Sequence, residues 1–192
     1  MHSAFKFQQY FLKRQIIALS GRIRVYHSDG ALMLYCQQKV LRLKEDIRVF
    51  SDESQSQELL RIQARQIVDF AASYDIFDSF SNERIGMVRR KGIHSIARDN
   101  WQIYDNAEKL IGVIQEDNLT RAFLRRFLLG SFLPTSYDVV FNNSLVAQFR
   151  QRFNILRYEM DLDFRKNTSQ LLDPRMGIAA GLLLAIIEGK QN

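Results

Sequence analysis

Residues 176–187, MGIAAGLLLAII, carry no charged side chain anywhere around a helical circumference. Asp173 is placed to cap such a helix, Pro174 falls at its tolerated first position and Gly189 follows the last apolar residue. A helix that is apolar all round either spans a bilayer or lies inside a core. Length decides between them, because twelve residues at about 1.5 Å each reach about 18 Å, whereas a bilayer core of about 30 Å needs roughly 20 residues. The rest of the chain therefore has to surround this helix. Gly177, Ala180 and Gly181 give it one thin side where strands can come close, although in a longer span the same GxxxG spacing would indicate helix pairing in a membrane.

A shell is available. Five stretches share one pattern: a short apolar or aromatic strand, a polar turn usually holding Asp or Asn, and a second strand that alternates apolar with polar residues. They begin at Arg24, Arg48, Tyr74, Trp101 and Tyr137, and each predicts a β-hairpin. Leu32, Leu34 and Cys36, then Leu60, Ile62 and Ala64, then Leu110, Gly112 and Ile114 are the expected inward sets. Asp29-Gly30, Asn106 and Asn142-Asn143 are turn residues that tolerate positive φ. Strands near 5–12 and 155–164 bring the total to about twelve. That many antiparallel strands must close or split into layers to protect their edges, so a mainly β barrel or sandwich is expected around the helix.

One further segment departs from period two. In 119–130, LTRAFLRRFLLG, Leu119, Ala122, Phe123 and Phe127 fall at helical spacing, with Asp117 or Asn118 as cap and Gly130 as stop. With 46% hydrophobic residues, two prolines and no linker-like stretch, residues 1–192 read as one domain. The N-terminal segment has no apolar run of signal-peptide length, so the expected location is cytoplasmic, at most peripheral to a membrane.

Catalytic signatures are missing from the sequence. His2, His27 and His94 are isolated, without HExxH, paired cysteines or a nucleophile elbow, and no cofactor, metal or enzymatic activity is expected. The single cysteine, Cys36, alternates with Leu34 and reads as a small core residue. Charge is more informative, since Lys and Arg (27) exceed Asp and Glu (21) for a net +6. Up to Asn118 the basic and acidic residues number 17 and 15, and beyond it 10 and 6. Three basic groups stand out: Arg89, Arg90 and Lys91 at the end of a hairpin strand; Arg121, Arg125 and Arg126 on the short helix; and Arg150 and Arg152 with Arg157. Arg121 and Arg125 lie one turn apart, either as a face meeting phosphates and lipid headgroups or as a solvated face over a hydrophobic rim. The aromatics sit inside the hairpin repeats, where core packing explains them, and nucleic acid is not an expected partner.

The stretches Ile47-Arg48-Val49-Phe50-Ser51-Asp52, Leu59-Leu60-Arg61-Ile62, Trp101-Gln102-Ile103-Tyr104-Asp105 and Leu110-Ile111-Gly112-Val113-Ile114, closed by the apolar helix, carry a family resemblance. The chain resembles the tubby C-terminal-like superfamily, which includes tubby domains, phospholipid scramblases and LURP-one-related proteins, and it is most similar to the last branch. The resemblance implies a closed antiparallel barrel of about twelve strands enclosing the hydrophobic C-terminal helix. It also implies a non-enzymatic lipid-associated or signalling adaptor that binds phosphoinositide or other anionic headgroups, with Arg89, Arg90, Lys91, Arg121, Arg125 and Arg126 as candidates. The alternatives are a scramblase-like lipid-translocating protein and a protein-interaction scaffold, so an anionic membrane surface and a protein are both candidate partners. No transmembrane segment is expected, and the proline-rich extension and cysteine cluster of scramblases are absent. The segment matching the calcium-associated stretch of scramblases keeps Asp161, Asp163 and Asp173, but Arg165 stands where an oxygen ligand would help.

Overall fold

The computed structural model describes residues 1–15, 21–38, 47–68, 71–90, 101–116, 134–154 and 156–187. After a 3-10 turn at Ser3–Phe5, twelve strands follow in order: β1 Gln9–Gln15, β2 Gly21–His27, β3 Leu32–Gln38, β4 Ile47–Phe50, β5 Glu58–Val68, β6 Ala71–Asp78, β7 Glu83–Arg90, β8 Trp101–Tyr104, β9 Leu110–Glu116, β10 Ser136–Phe141, β11 Ser144–Arg152 and β12 Arg157–Asp163. Each pairs antiparallel with its neighbour in sequence, and β1 pairs with β12, closing the barrel. Among the described residues one α-helix, α1 (Pro174–Ile187), is present, and it fills the lumen.

All five predicted hairpins form. Alternation directs Leu34, Cys36, Leu60, Ile62, Ile103 and Ile114 into a fully buried core against α1. Leu110 departs from its expected inward place: it opens β9 beside the turn and is 47% exposed. The N-terminal strand starts later than expected, at Gln9, because the chain first makes the 3-10 turn. The His2 ring accepts from the Ala4 N–H there, while the buried Tyr10 hydroxyl donates to the Ala4 carbonyl and accepts from the Phe7 N–H. Positive φ occurs at Gly30, Asn142 and Asn143 as expected, but in the β8–β9 turn it falls on Glu108 and not on Asn106. There the Asp105 carboxylate accepts from the Ala107 and Lys109 N–H groups and dictates the turn.

Two devices seat α1. At its start the Asp173 carboxylate accepts from the Arg175 N–H at 2.9 Å, the N-cap bond expected from sequence. The Arg175 guanidinium then bridges Asp173 and Asp78, tying the helix to the β6–β7 turn. Asp78 loses water to burial, yet the Ser81 and Phe80 N–H groups and Arg175 hold its pKa below the usual carboxylate value. At its end Arg14, which points inward from β1 and is 8% exposed, donates to the carbonyls of Ala185 (2.6 Å) and Ile186 (3.4 Å). A cation there satisfies acceptors that a helix terminus leaves open and sits at the negative end of its dipole.

The thin side of the helix is real. A side chain on Gly177 would strike Phe164, and one on Gly181 would strike Leu162 of β12. Across the barrel, Gly86 of β7 makes room for Met176. The helix predicted for 119–130 and the stop at Gly189 lie outside the described residues.

Candidate functional site

Outside the filled lumen, one concavity of about 880 Å³ lies on the outer wall across β11, β12, β1 and β2. Period two builds it. Phe11 and Lys13 are the outward residues of β1, flanked inward by Tyr10, Leu12 and Arg14. Register then lines up neighbours on both sides: Tyr26, Phe11, Asp161 and Arg150 form one row, and Arg24, Lys13, Glu159 and Arg152 the next. His27, Ser28 and Gly30 from the β2–β3 turn bound one end with Arg165 and Lys166, which follow β12.

Five cations line this groove, Lys13, Arg150, Arg152, Arg165 and Lys166, against the two carboxylates Asp161 and Asp163. Both acids are taken. Arg152 makes a two-pronged contact with Asp161 at 2.7 and 2.8 Å, and Arg165 clasps Asp163 at 2.6 Å. The Arg165 hydrogen bonds, working against partial burial, hold the Asp163 pKa below its ordinary value. Arg152 also lies over the Phe11 ring at 4.3 Å, and Lys13 sits near Phe11 (5.0 Å) and Tyr26 (5.4 Å). Arg150 donates to the Gln148 amide oxygen, a neutral partner. Five cations against two lining carboxylates leave the cleft positive over an aromatic floor and open to solvent, with Glu159 opposite Lys13 in register. Such an arrangement can attract an anion.

The sequence candidates fall elsewhere or outside the described residues. Arg89 and Arg90 close β7, with Arg90 near the Trp101 ring at 5.9 Å. In the ring of twelve strands β7 lies six from β1 in either direction, so these arginines are on the opposite wall. Lys91, Arg121, Arg125, Arg126 and His94 lie outside the described residues. From the third basic group, Arg150 and Arg152 line the groove and Arg157 does not. Sequence reasoning missed Lys13, Arg165 and Lys166. Outward alternation of Phe11 and Lys13 was visible, but their convergence with β11 depends on barrel closure.

Other residues resolve simply. Cys36 is fully buried, and burial pushes its thiol up to about 12. His27 packs on Phe7 with ring centroids 4.2 Å apart and faces Asp29. Asp161, Asp163 and Asp173 each bond an arginine. Among the described residues no three His, Cys, Asp or Glu side chains converge as a metal set, and no helix is long and apolar enough to cross a membrane.

A closed twelve-strand antiparallel barrel wound around one apolar helix defines the tubby-like C-terminal class of proteins. Within that class, the LURP-one-related family model matches residues 32–172, from β3 to the segment before α1, and the chain belongs to that family. Its members are typically non-enzymatic. No curated protein matches the chain.

Proposed function

We propose that the protein is a non-catalytic binding module that takes an anionic group, a lipid headgroup phosphate above all, in the groove across β11, β12, β1 and β2. One observation carries this reading: the groove acids Asp161 and Asp163 are already bonded by Arg152 and Arg165, while Lys13, Arg150 and Lys166 add further positive charge to the same cleft. Elsewhere on the described wall several arginines are paired with acids. Arg65 and Arg84 share Asp75 and Glu108, and Arg24 pairs with Glu53. A phosphate would find a cleft in which cations outnumber carboxylates. Arg89 and Arg90 on the far wall are the competing location.

The test is a pair of charge reversals measured with pyrophosphate by titration calorimetry and with phosphoinositide-containing liposomes by sedimentation. Arg150→Glu with Lys166→Glu should abolish both signals, and Arg89→Glu with Arg90→Glu should leave them intact. The opposite ranking, or no binding by the parent, overturns the groove reading.

A further inference from the structure

The groove ends next to an unusual apolar tip. β11 finishes at Arg152, the residue stacked on Phe11 in the groove, and the hairpin to β12 immediately presents Phe153, 58% exposed, and Leu156, 60% exposed. Together on one turn they form a local exposed apolar patch. At its base the Asn154 side chain accepts from the Leu156 and Arg157 N–H groups at 3.0 and 3.2 Å. The position of the tip is defined. Arg157 pairs in register with Gln15, one residue beyond Arg14, whose guanidinium reaches the end of α1, so the tip stands at the barrel end where the helix finishes.

Charge identifies what covers it. Arg152, bonded to Asp161, and Arg157 flank the tip directly, and Arg157 is exposed. Arg22, at the start of β2, is exposed at the same end. Glu159 faces Lys13 and Arg152 in register. An apolar point collared by cations fits the boundary of an anionic bilayer: the apolar side chains enter the acyl edge and the arginines remain among the headgroups. We infer that the β11–β12 tip docks the barrel on an anionic membrane through Phe153 and Leu156, holding the groove beside the headgroup layer. This rests on the groove reading and specifies the source of its anion as a bilayer rather than a free phosphate.

The experiment uses the full chain with phosphatidylcholine vesicles made with and without phosphatidylserine. Phe153→Ser with Leu156→Ser should lower partitioning onto the phosphatidylserine vesicles by roughly tenfold or more, as expected when two apolar side chains no longer leave water. Both sites are exposed, so circular dichroism should be unchanged, and pyrophosphate binding in the groove should be retained. In a Phe153→Trp protein, brominated lipid should quench the added fluorescence beyond the background of the buried Trp101. Partitioning equal to that of the parent, absence of quenching, no vesicle binding by the parent, or loss of self-association in place of vesicle binding would each overturn the docking proposal. Failure of the groove reading looks different: Arg150→Glu with Lys166→Glu would leave pyrophosphate binding unchanged.

Discussion

Gly177→Ala is the sharpest probe of how the helix is held. A Cβ at this position lies 2.4 Å from Phe164 Cε1, 3.0 Å from Cζ and 3.2 Å from Leu172 Cδ2. Carbon atoms rest at about 3.5–4.0 Å, so the ring must retreat by about 1 Å. Its exits are blocked, because Tyr10 and Phe149 meet Phe164 edge-on with centroids 5.9 and 5.8 Å away. Overpacking of this kind costs about 1–3 kcal/mol. Against it stands the helix preference of alanine over glycine, about 0.8–1.0 kcal/mol in a helix interior and less in the first turn, where Gly177 lies. The steric cost wins, leaving a net loss of about 1–2 kcal/mol. For a chain of this length that corresponds to a drop in Tm of about 3–6 °C. Urea unfolding followed by far-UV circular dichroism should show a lower midpoint at unchanged slope. Gly181→Ala meets only the tips of Leu162, at 2.9 Å, and should cost less. A Gly177→Ala protein as stable as the parent would refute the packing of α1 against the Phe164 and Leu172 side chains.

Arg14→Met leaves the Ala185 and Ile186 carbonyls without their donor and should destabilise the protein by about 1–3 kcal/mol, the cost of orphaned buried acceptors offset by relief of a desolvated charge; thermal unfolding checks it, and a raised Tm counts against the capping role. Asp78→Asn keeps an acceptor for the Phe80 and Ser81 N–H groups but removes the charge facing Arg175, costing about 1–2 kcal/mol at neutral pH. Because the folded Asp78 pKa lies below the unfolded value, this contribution is present above about pH 4 and fades as pH falls through the folded pKa, so variant and parent should converge in acid. A gap independent of pH would mean that the carboxylate charge is not what Arg175 reads. Cys36 should resist iodoacetamide at pH 8 in the folded protein and react promptly in guanidinium, since its thiol is buried and raised to about 12; rapid alkylation of native protein would contradict a closed wall.

Elements whose cause is local could be read from the chain. Apolar alternation set the five hairpins, and an apolar run too short for a bilayer demanded enclosure. Asp173 and Pro174 marked where α1 begins, and Gly177 and Gly181 marked its thin side. What could not be read depends on closure. Arg14 looks like any basic residue in Lys13-Arg14, and only the pairing of β1 with β12 turns one of the two outward to the groove and the other inward to a helix end. Asn106 looked like the residue to take positive φ, but Asp105 captured the turn N–H groups and moved the strain to Glu108. For the site the gap is wider. Lys13, Arg150 and Lys166 lie on different elements and share no motif, so their convergence is a property of register alone.

Filling the barrel with α1 also explains why the chain carries so little recognisable chemistry. A barrel with an empty lumen encloses its ligand and lines the cavity with a few convergent polar groups. Here the lumen holds Leu182, Leu183, Leu184 and Ile186, all buried, and even a methyl group at Gly177 or Gly181 collides with the wall. Ligands are left with the outside of a sheet, where each strand contributes every second residue and recognition is distributed over four strands. On such a surface the deciding quantity is which charges remain after the neighbours have paired. The far wall settles Arg65 and Arg84 with Asp75 and Glu108, whereas the groove across β11, β12, β1 and β2 is lined by five cations and two carboxylates. The overall excess of six therefore bears on function only where pairing fails to consume it, and the clearest such place on the described surface borders an apolar tip.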